Sequence, residues 1–248
     1  MRVDLLCSGS KGNACIIRSK ETQIMIDCGS TKKYLFKALE QANVKKENND
    51  ALLITHTHTD HVSQLKHFQN APIYSHCSIE VPDKHIIVNP FESFMIKDLK
   101  ITVIGLSHDS PNTCGYIIED GEEKLVYVTD TGFVPNVFKP LMENADYYIF
   151  ESNHDVKTLM QTNRPYYVKH RIIGDTGHLC NEDSSNNLAS LINTNTKEII
   201  LAHISEDGNR KEIVMDTIEN TFKRKQLPMS KVQIRAAQQF EINTILGK

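Results

Sequence analysis

The sequence predicts an α/β fold of two mixed β-sheets face to face, with helices outside. Three observations point there. Short strand-like apolar runs occur in both halves, helical periodicity appears between them, and no repeat, low-complexity tract or linker divides the 248 residues. A single domain over residues 1–248 is therefore expected.

The elements follow in order. Val3–Cys7, Ala14–Arg18 and Gln23–Asp27 read as strands, separated by Ser-Gly-Ser-Lys-Gly-Asn and then Lys-Glu-Thr. Lys32–Gln41 has helical spacing, with Leu35, Ala38 and Leu39 on one face. Ala51–Thr55 is a buried strand. Asp60 caps an expected helix to about Gln69, and strand Pro72–Ser75 follows. Leu99–Leu106, Cys114–Glu119, Lys124–Val128 and Tyr147–Phe150 are further strands, with Gly121 in the turn between the second and third. Helices are expected near Asp155–Gln161, Arg164–Ile173, Asn181–Ile192 and Lys211–Phe222. Strand Glu198–Ala202 falls between the last two, and Val232–Arg235 and Gln239–Ile242 close the chain.

A net charge of −3 advertises no global attraction to nucleic acid, although a local basic groove is compatible with it. Arg164, Lys169 and Arg171 form a local basic cluster, either steering phosphates or a solvated helix face. The six cysteines include no Cys-x-x-Cys pair and read as reduced, mostly buried small side chains. Ser8–Asn13 interrupts any secretory apolar core, and no apolar run reaches 18 residues. The expectation is a cytoplasmic protein with no membrane partner.

The chemistry concentrates at residues 56–61, His-Thr-His-Thr-Asp-His, at the end of the run Ala51–Thr55. Imidazole suits zinc and its neighbours, and a carboxylate adds a hard oxygen donor. An extended stretch points His56, His58 and Asp60 to one side, while His61 begins the next segment and approaches from another angle. That arrangement suits two metals better than one. Further candidate ligands recur at strand ends: His108 in Ser107-His108-Asp109, Asp130 in Thr129-Asp130-Thr131-Gly132, and His203 in His203-Ile204-Ser205.

This order, HxHxDH and then His, Asp and His, resembles the metallo-β-lactamase fold hydrolases over essentially the whole chain. The resemblance implies an αββα sandwich with ligands on loops along one sheet edge. It assigns His56, His58 and His108 to a first metal and Asp60, His61 and His203 to a second, with Asp130 bridging. Asp27, in Ile26-Asp27-Cys28-Gly29, matches an aspartate that holds the ligands from behind. Glu151 is expected in the same supporting role.

Four segments narrow the resemblance to the YycJ/WalJ branch: Leu6–Asn13, Phe150–Asp155, Gly177–Asp183 and His203–Asn209. That branch implies a double-strand DNA 5′→3′ exonuclease linked to repair. Thr176, Cys180 and Gly208 depart from its pattern, where arginine, serine and asparagine are usual. Asn13, His154 and His178 are expected at the substrate. His154 either touches substrate or holds a ligand histidine, and Gly9 and Gly12 either aim amides at the site or supply positive φ. His178 precedes a helix start at Asn181-Glu182-Asp183, where an anion is favoured.

The expected reaction is hydrolysis of a phosphodiester by hydroxide formed on two divalent ions, Zn²⁺ or Mn²⁺, with Fe²⁺ also compatible. Bound zinc lowers the pKa of water from about 16 to about 7. Asp60 or Asp130 orients the water, and His178 stabilises the developing charge. Two alternatives stand beside this reading. One is a metallohydrolase of a small ester, thioester, lactone or cyclic nucleotide. The other is a binding module that keeps the fold without the reaction, which the full ligand set disfavours.

Overall fold

The computed structural model describes residues 1–80, 84–227 and 232–247. Its contacts divide the chain into two compact units: residues 1–105, 110–123 and 238–248, and residues 106–109 and 124–237.

The first unit holds β1 (Arg2–Cys7), β2 (Ala14–Arg18), β3 (Gln23–Ile26), α1 (Lys32–Gln41), β4 (Ala51–Ile54), α2 (Thr59–Val62), β5 (Ile73–Ser75), β6 (His85–Ile87), β7 (Ser93–Ile96), β8 (Leu99–Gly105), β9 (Cys114–Glu119) and the last strand, β14 (Asn243–Leu246). One seven-stranded sheet runs β14-β1-β2-β3-β4-β5-β6. It is antiparallel through β3 and parallel from β3 to β6. β4 is buried along its whole length, because parallel neighbours flank it and α1 contributes Leu35, Ala38 and Leu39 to the same core. β7, β8 and β9 pair antiparallel in order.

The second unit holds β10 (Lys124–Val128), α3 (Lys139–Met142), β11 (Tyr147–Glu151), α4 (Val156–Gln161), α5 (Tyr166–Ile173), α6 (Asn181–Leu191), β12 (Glu198–Ala202), α7 (Lys211–Arg224) and β13 (Gln233–Ala236). Its strands run β13-β12-β11-β10, all parallel. β11 and β12 are buried throughout, as apolar runs between parallel neighbours must be.

The mixed sheets and interspersed helices are those expected from the sequence. Three details differ. The helix expected from Asp60 to Gln69 is a single turn, α2, followed by a 3₁₀ turn at Leu65–His67, and its N-cap is His58. The strand expected at Gln239–Ile242 lies at Asn243–Leu246, because Gln239 is committed to a turn. Its side chain accepts from the Lys11 amide and donates to the Gly12 carbonyl, at 2.8 and 2.9 Å. Strands β6 and β7 escape a periodicity reading because they are short and mostly exposed. The six cysteines are free, five of them buried. None of the described helices is long and apolar enough to cross a membrane.

Candidate metal centre

Both units place their chemistry at the carboxyl ends of parallel strands, where backbone turns leave the sheet and side chains converge. In the first unit, β3 leads into Asp27 and β4 into Thr55 and His56. In the second, β10 leads into Asp130, β11 ends on Glu151 and β12 leads into His203. Asp27, Asp130 and His203 all have positive φ, at 56°, 58° and 52°. Aspartate and histidine tolerate this left-handed conformation better than most residues, and it is costly enough to mark a functional turn.

In the first unit, His56 stacks near His58 and His61, with ring centroids 4.7 and 4.1 Å away. Asp27 is fully buried and receives His61 Nδ1 at 2.8 Å, the Thr55 amide at 2.9 Å and the Thr55 hydroxyl. Burial pushes the Asp27 carboxyl up against the pull of His61. With Nδ1 committed, His61 offers Nε2, which lies 3.6 Å from Asp60 Oδ2. Asn13 is buried, and its amide is gripped by the Gly9 amide and carbonyl at 2.9 and 3.0 Å. Its remaining N–H faces His61 Nε2 at 2.8 Å and Asp60 Oδ2 at 3.3 Å. Asn13 was expected at the substrate; its burial and partners make it a support for two ligand candidates. Gly9 and Gly12 have φ of 141° and 155°, so positive φ is their visible role.

In the second unit, Asp130, Glu151, His178 and His203 bring ligand-type atoms within 4.8 Å of one another. His203 Nε2 is 3.4 Å and His108 Nε2 3.8 Å from Asp130 Oδ1. His108 Nδ1 donates to the Gly177 carbonyl at 2.9 Å, and His203 Nδ1 to Glu151 Oε1 at 2.9 Å. Burial pushes His108 down, although Asp130 pulls the other way. Glu151 is fully buried. Burial alone would raise its carboxyl, but His178 and His203 outweigh that and hold it at about 2. Its Oε1 also receives His178 Nδ1 at 2.8 Å.

The donor set fits divalent ions. His61, His108 and His203 each have Nδ1 anchored on an oxygen acceptor, which makes Nε2 the candidate ligand atom; at His61 an ion there would displace the Asn13 N–H, 2.8 Å from Nε2. Bonds of 2.0–2.2 Å place neighbouring tetrahedral donors roughly 3.3–3.6 Å apart. The observed His61–Asp60 and His203–Asp130 separations, 3.6 and 3.4 Å, match that edge.

His154 does not behave as a substrate contact. It is 1% exposed, both ring nitrogens lack hydrogen-bond partners among the described residues, and burial pushes it down to about 4. The start of α6 is also largely self-satisfied. The amides of Asn181, Asp183 and Ser184 donate to the His154 carbonyl, Cys180 Sγ and the Cys180 carbonyl. Ser152, Asn181 and Asn209, from three of the quoted segments, form one buried network in which the two amides bond reciprocally at 3.0 and 2.8 Å.

The basic cluster separates. Lys169 is buried and satisfies the carbonyls of Met160 and Thr162 at the end of α4, and Arg164 pairs with Asp207. Arg171 pairs with Asp109 at 2.5 Å, and Asp109 Oδ1 is 3.3 Å from His108 Nε2. Sequence reading missed Asp109; its adjacency to His108 was the available signal. Gly177 is required sterically, because a Cβ would meet the carbonyl oxygens of Arg171 and Ile172 at 2.2 Å.

Comparison with known proteins decides the family. A family model described as a beta-lactamase superfamily domain matches residues 22–204. This chain is a member of the metallo-β-lactamase superfamily. It is 32% identical over 222 residues to an exodeoxyribonuclease YycJ of Bacillus anthracis, covering 84% of each chain. It is likewise 32% identical to an exodeoxyribonuclease WalJ of Streptococcus pneumoniae, covering 84% of this chain and 83% of that one. The crystal structure of the metallo-β-lactamase fold protein YhfI from Bacillus subtilis superposes with a TM-score of 0.75 at 18% identity, over 98% of this chain and 99% of that one. That likeness shows the fold, as the sequence predicts it.

Proposed function

We propose that this metallo-β-lactamase superfamily member is a metal-dependent phosphodiesterase that degrades DNA from the 5′ end. The observation that carries the substrate class is the 32% identity, over 84% of both chains, to a relative named exodeoxyribonuclease. The polarity and a role in DNA repair come from the sequence resemblance to the YycJ/WalJ branch.

The reading assigns His56, His58 and His108 to one divalent ion and Asp60, His61 and His203 to a second, with Asp130 shared. A single catalytic domain over residues 1–248 belongs to the same reading. The all nitrogen-and-oxygen donor set suits Zn²⁺ or Mn²⁺, with Fe²⁺ also compatible. When bound, such ions supply Lewis acidity and activate water near neutral pH.

The residues of the chain do the rest. Asp130 and Asp60 orient the attacking water as acceptors. Glu151 fixes His178 through Nδ1, which leaves His178 Nε2 to donate to charge gathering on phosphate or to hold a proton for the leaving oxygen. His178 keeps 14% of its side chain exposed, which suits a group that meets substrate. Asn13, Asp27 and Glu151 hold ligands rather than touch substrate.

Digestion of 5′- and 3′-end-labelled duplexes, single strands and cyclic dinucleotides with added Mn²⁺ or Zn²⁺ tests the reading. The expected result is release of the 5′ label as mononucleotide while the 3′ label stays on long products. Intact duplex alongside hydrolysis of a cyclic nucleotide, thioester or lactone would transfer the site to the alternative, small-ester class.

A further inference from the structure

The outer face of α5 is unusual for a short surface helix. Tyr166 and Tyr167 are 67% and 75% exposed, and Arg171 is exposed about 40° around the helix from Tyr167. Lys169 and Ile172 face inward, so packing already fixes the helix without the tyrosines. Tyr167 and Arg171 are four residues apart and therefore neighbours on the surface, about one turn along the axis. At the same four-residue spacing, the rings of Tyr166 and His170 meet, with centroids 4.2 Å apart.

The arginine end of this face is anchored beside the candidate metal centre. Arg171 Nε binds Asp109 Oδ2 at 2.5 Å, and the other oxygen of Asp109 stands 3.3 Å from His108 Nε2. The backbone there has no slack. The His178 amide donates to the Ile172 carbonyl at 2.9 Å, and Gly177 fits under the last turn of α5 only because it lacks a Cβ. The end of α5 and the loop carrying His178 are therefore packed backbone against backbone. Of the three basic residues near this loop, Lys169 is spent on carbonyls and Arg164 on Asp207. Arg171 is bound through one nitrogen, which leaves the two terminal NH₂ groups of its guanidinium for an anion.

We propose that α5 is the surface that guides the substrate strand into the centre: Arg171 holds a backbone phosphate flanking the one that is cleaved, and Tyr167, with Tyr166, stacks an adjacent unpaired base. The cation supplies complementarity to a polyanion. The aromatic faces supply a sequence-tolerant platform, since every base has a π-face. Asp109 aims Arg171 and keeps it extended while no substrate is bound. A stacking platform requires the end of the strand to leave its duplex, so single-stranded or frayed ends bind more tightly than blunt, stable ones. This rests on the phosphodiesterase reading above and adds the element that reads the nucleic acid.

The experiment measures kcat/KM of the full chain loaded with Mn²⁺, on a 5′-phosphorylated single-stranded oligonucleotide and on bis(p-nitrophenyl) phosphate, across a salt series. Arg171→Ala is expected to lower the oligonucleotide-to-reporter ratio about tenfold or more. It should also flatten the logarithmic salt dependence by about 0.7, the value for one phosphate contact on a single strand. Arg171→Lys should recover most of the slope. The double variant Tyr166→Ala, Tyr167→Ala should lower the same ratio about tenfold and leave the salt slope unchanged, because stacking releases no counterion. Wild-type ratios and slopes in both variants would overturn the proposal while leaving the nuclease reading intact. A wild-type protein that hydrolyses the reporter and a 5′-phosphorylated duplex but not the single strand would overturn this surface alone, and one that hydrolyses the reporter but neither duplex nor single strand would overturn the nuclease reading with it. Tyrosine-dependent self-association in sedimentation would assign the face to a second copy of the chain and also overturn the proposal.

Discussion

Glu151 Oε1 receives His203 Nδ1 at 2.9 Å, and the same carboxylate takes three further donors: His178 Nδ1, the Thr131 amide and the Leu179 amide. One buried anion thus orients a metal-ligand candidate, the candidate acid and two turns of backbone. Glutamine cannot replace it, because its NH₂ must face at least one of these donors. Glu151→Gln is expected to weaken metal binding at the His203 site by about 10–100-fold and to destabilise the fold by roughly 1–3 kcal/mol. Metal competition against a chromophoric chelator and urea unfolding read the two effects separately. Wild-type metal affinity in the variant would show that His203 is not a ligand held by Glu151.

Asp130 sits in the left-handed region at φ 58°, which asparagine also tolerates. Asp130→Asn should therefore fold while losing the anion shared by both proposed ions. Elemental analysis of saturated wild-type protein should give close to two equivalents. The variant should lose affinity at both sites together, by tenfold or more. One equivalent in the wild type, or loss of a single site in the variant, would remove the bridging assignment.

The ligand candidates are legible in the sequence for a physical reason. A polar HxHxDH run directly after a fully buried strand has few uses other than coordination, and Asp130 and His203 repeat that placement at the ends of β10 and β12. The supporting residues are less legible. Asn13 bonds Gly9 within its own turn and reaches Asp60 and His61, distant in sequence, while Gln239 closes that turn through Lys11 and Gly12, so no local pattern announces the whole arrangement. Lys169 looks like part of a basic patch until tertiary packing turns it inward onto the end of α4. His154 looks like a substrate residue because it lies among functional ones, yet its side chain is inside. Local sequence identifies what a residue can do; its burial decides whether solvent or substrate can reach it.

His178 differs from the ligand candidates in having its Nδ1 held and part of its side chain exposed. His178→Ala is expected to keep both metals and lower phosphodiester cleavage by about 10²–10³, the scale for one lost donor to developing charge. His61→Ala should instead lose a metal, because its Nε2 is the atom next to Asp60. Normal turnover in His178→Ala would make the histidine a packing residue of the Gly177 loop.

Cys180 is the N-cap of α6, and its Sγ accepts from the Asp183 amide at 3.5 Å. Sulfur is a weak acceptor, whereas a serine hydroxyl is among the best at this position. Cys180→Ser should raise stability by about 0.5–1 kcal/mol in chemical denaturation, with catalysis unchanged in kcat. Destabilisation by a similar amount would mean that sulfur packing matters more here than the cap.

His154 gives the protein a defined acid sensitivity. Its ring is buried without hydrogen-bond partners among the described residues, and burial lowers its pKa to about 4 from an ordinary value near 6.5. The unfolded chain therefore takes up a proton as pH falls below about 6.5, while the folded chain refuses it until about pH 4. Above pH 6.5 both states are neutral at this ring and it imposes no penalty. Between those values it subtracts stability at up to about 1.4 kcal/mol per pH unit, and below pH 4 the loss levels off. Metal affinity is itself pH-dependent, so the measurement belongs on chelator-treated protein. Urea unfolding at pH 7 and pH 5 should show a smaller loss in His154→Leu than in the wild type, by about 1–2 kcal/mol. An identical loss in both would mean that the folded state protonates this ring as readily as the unfolded chain does.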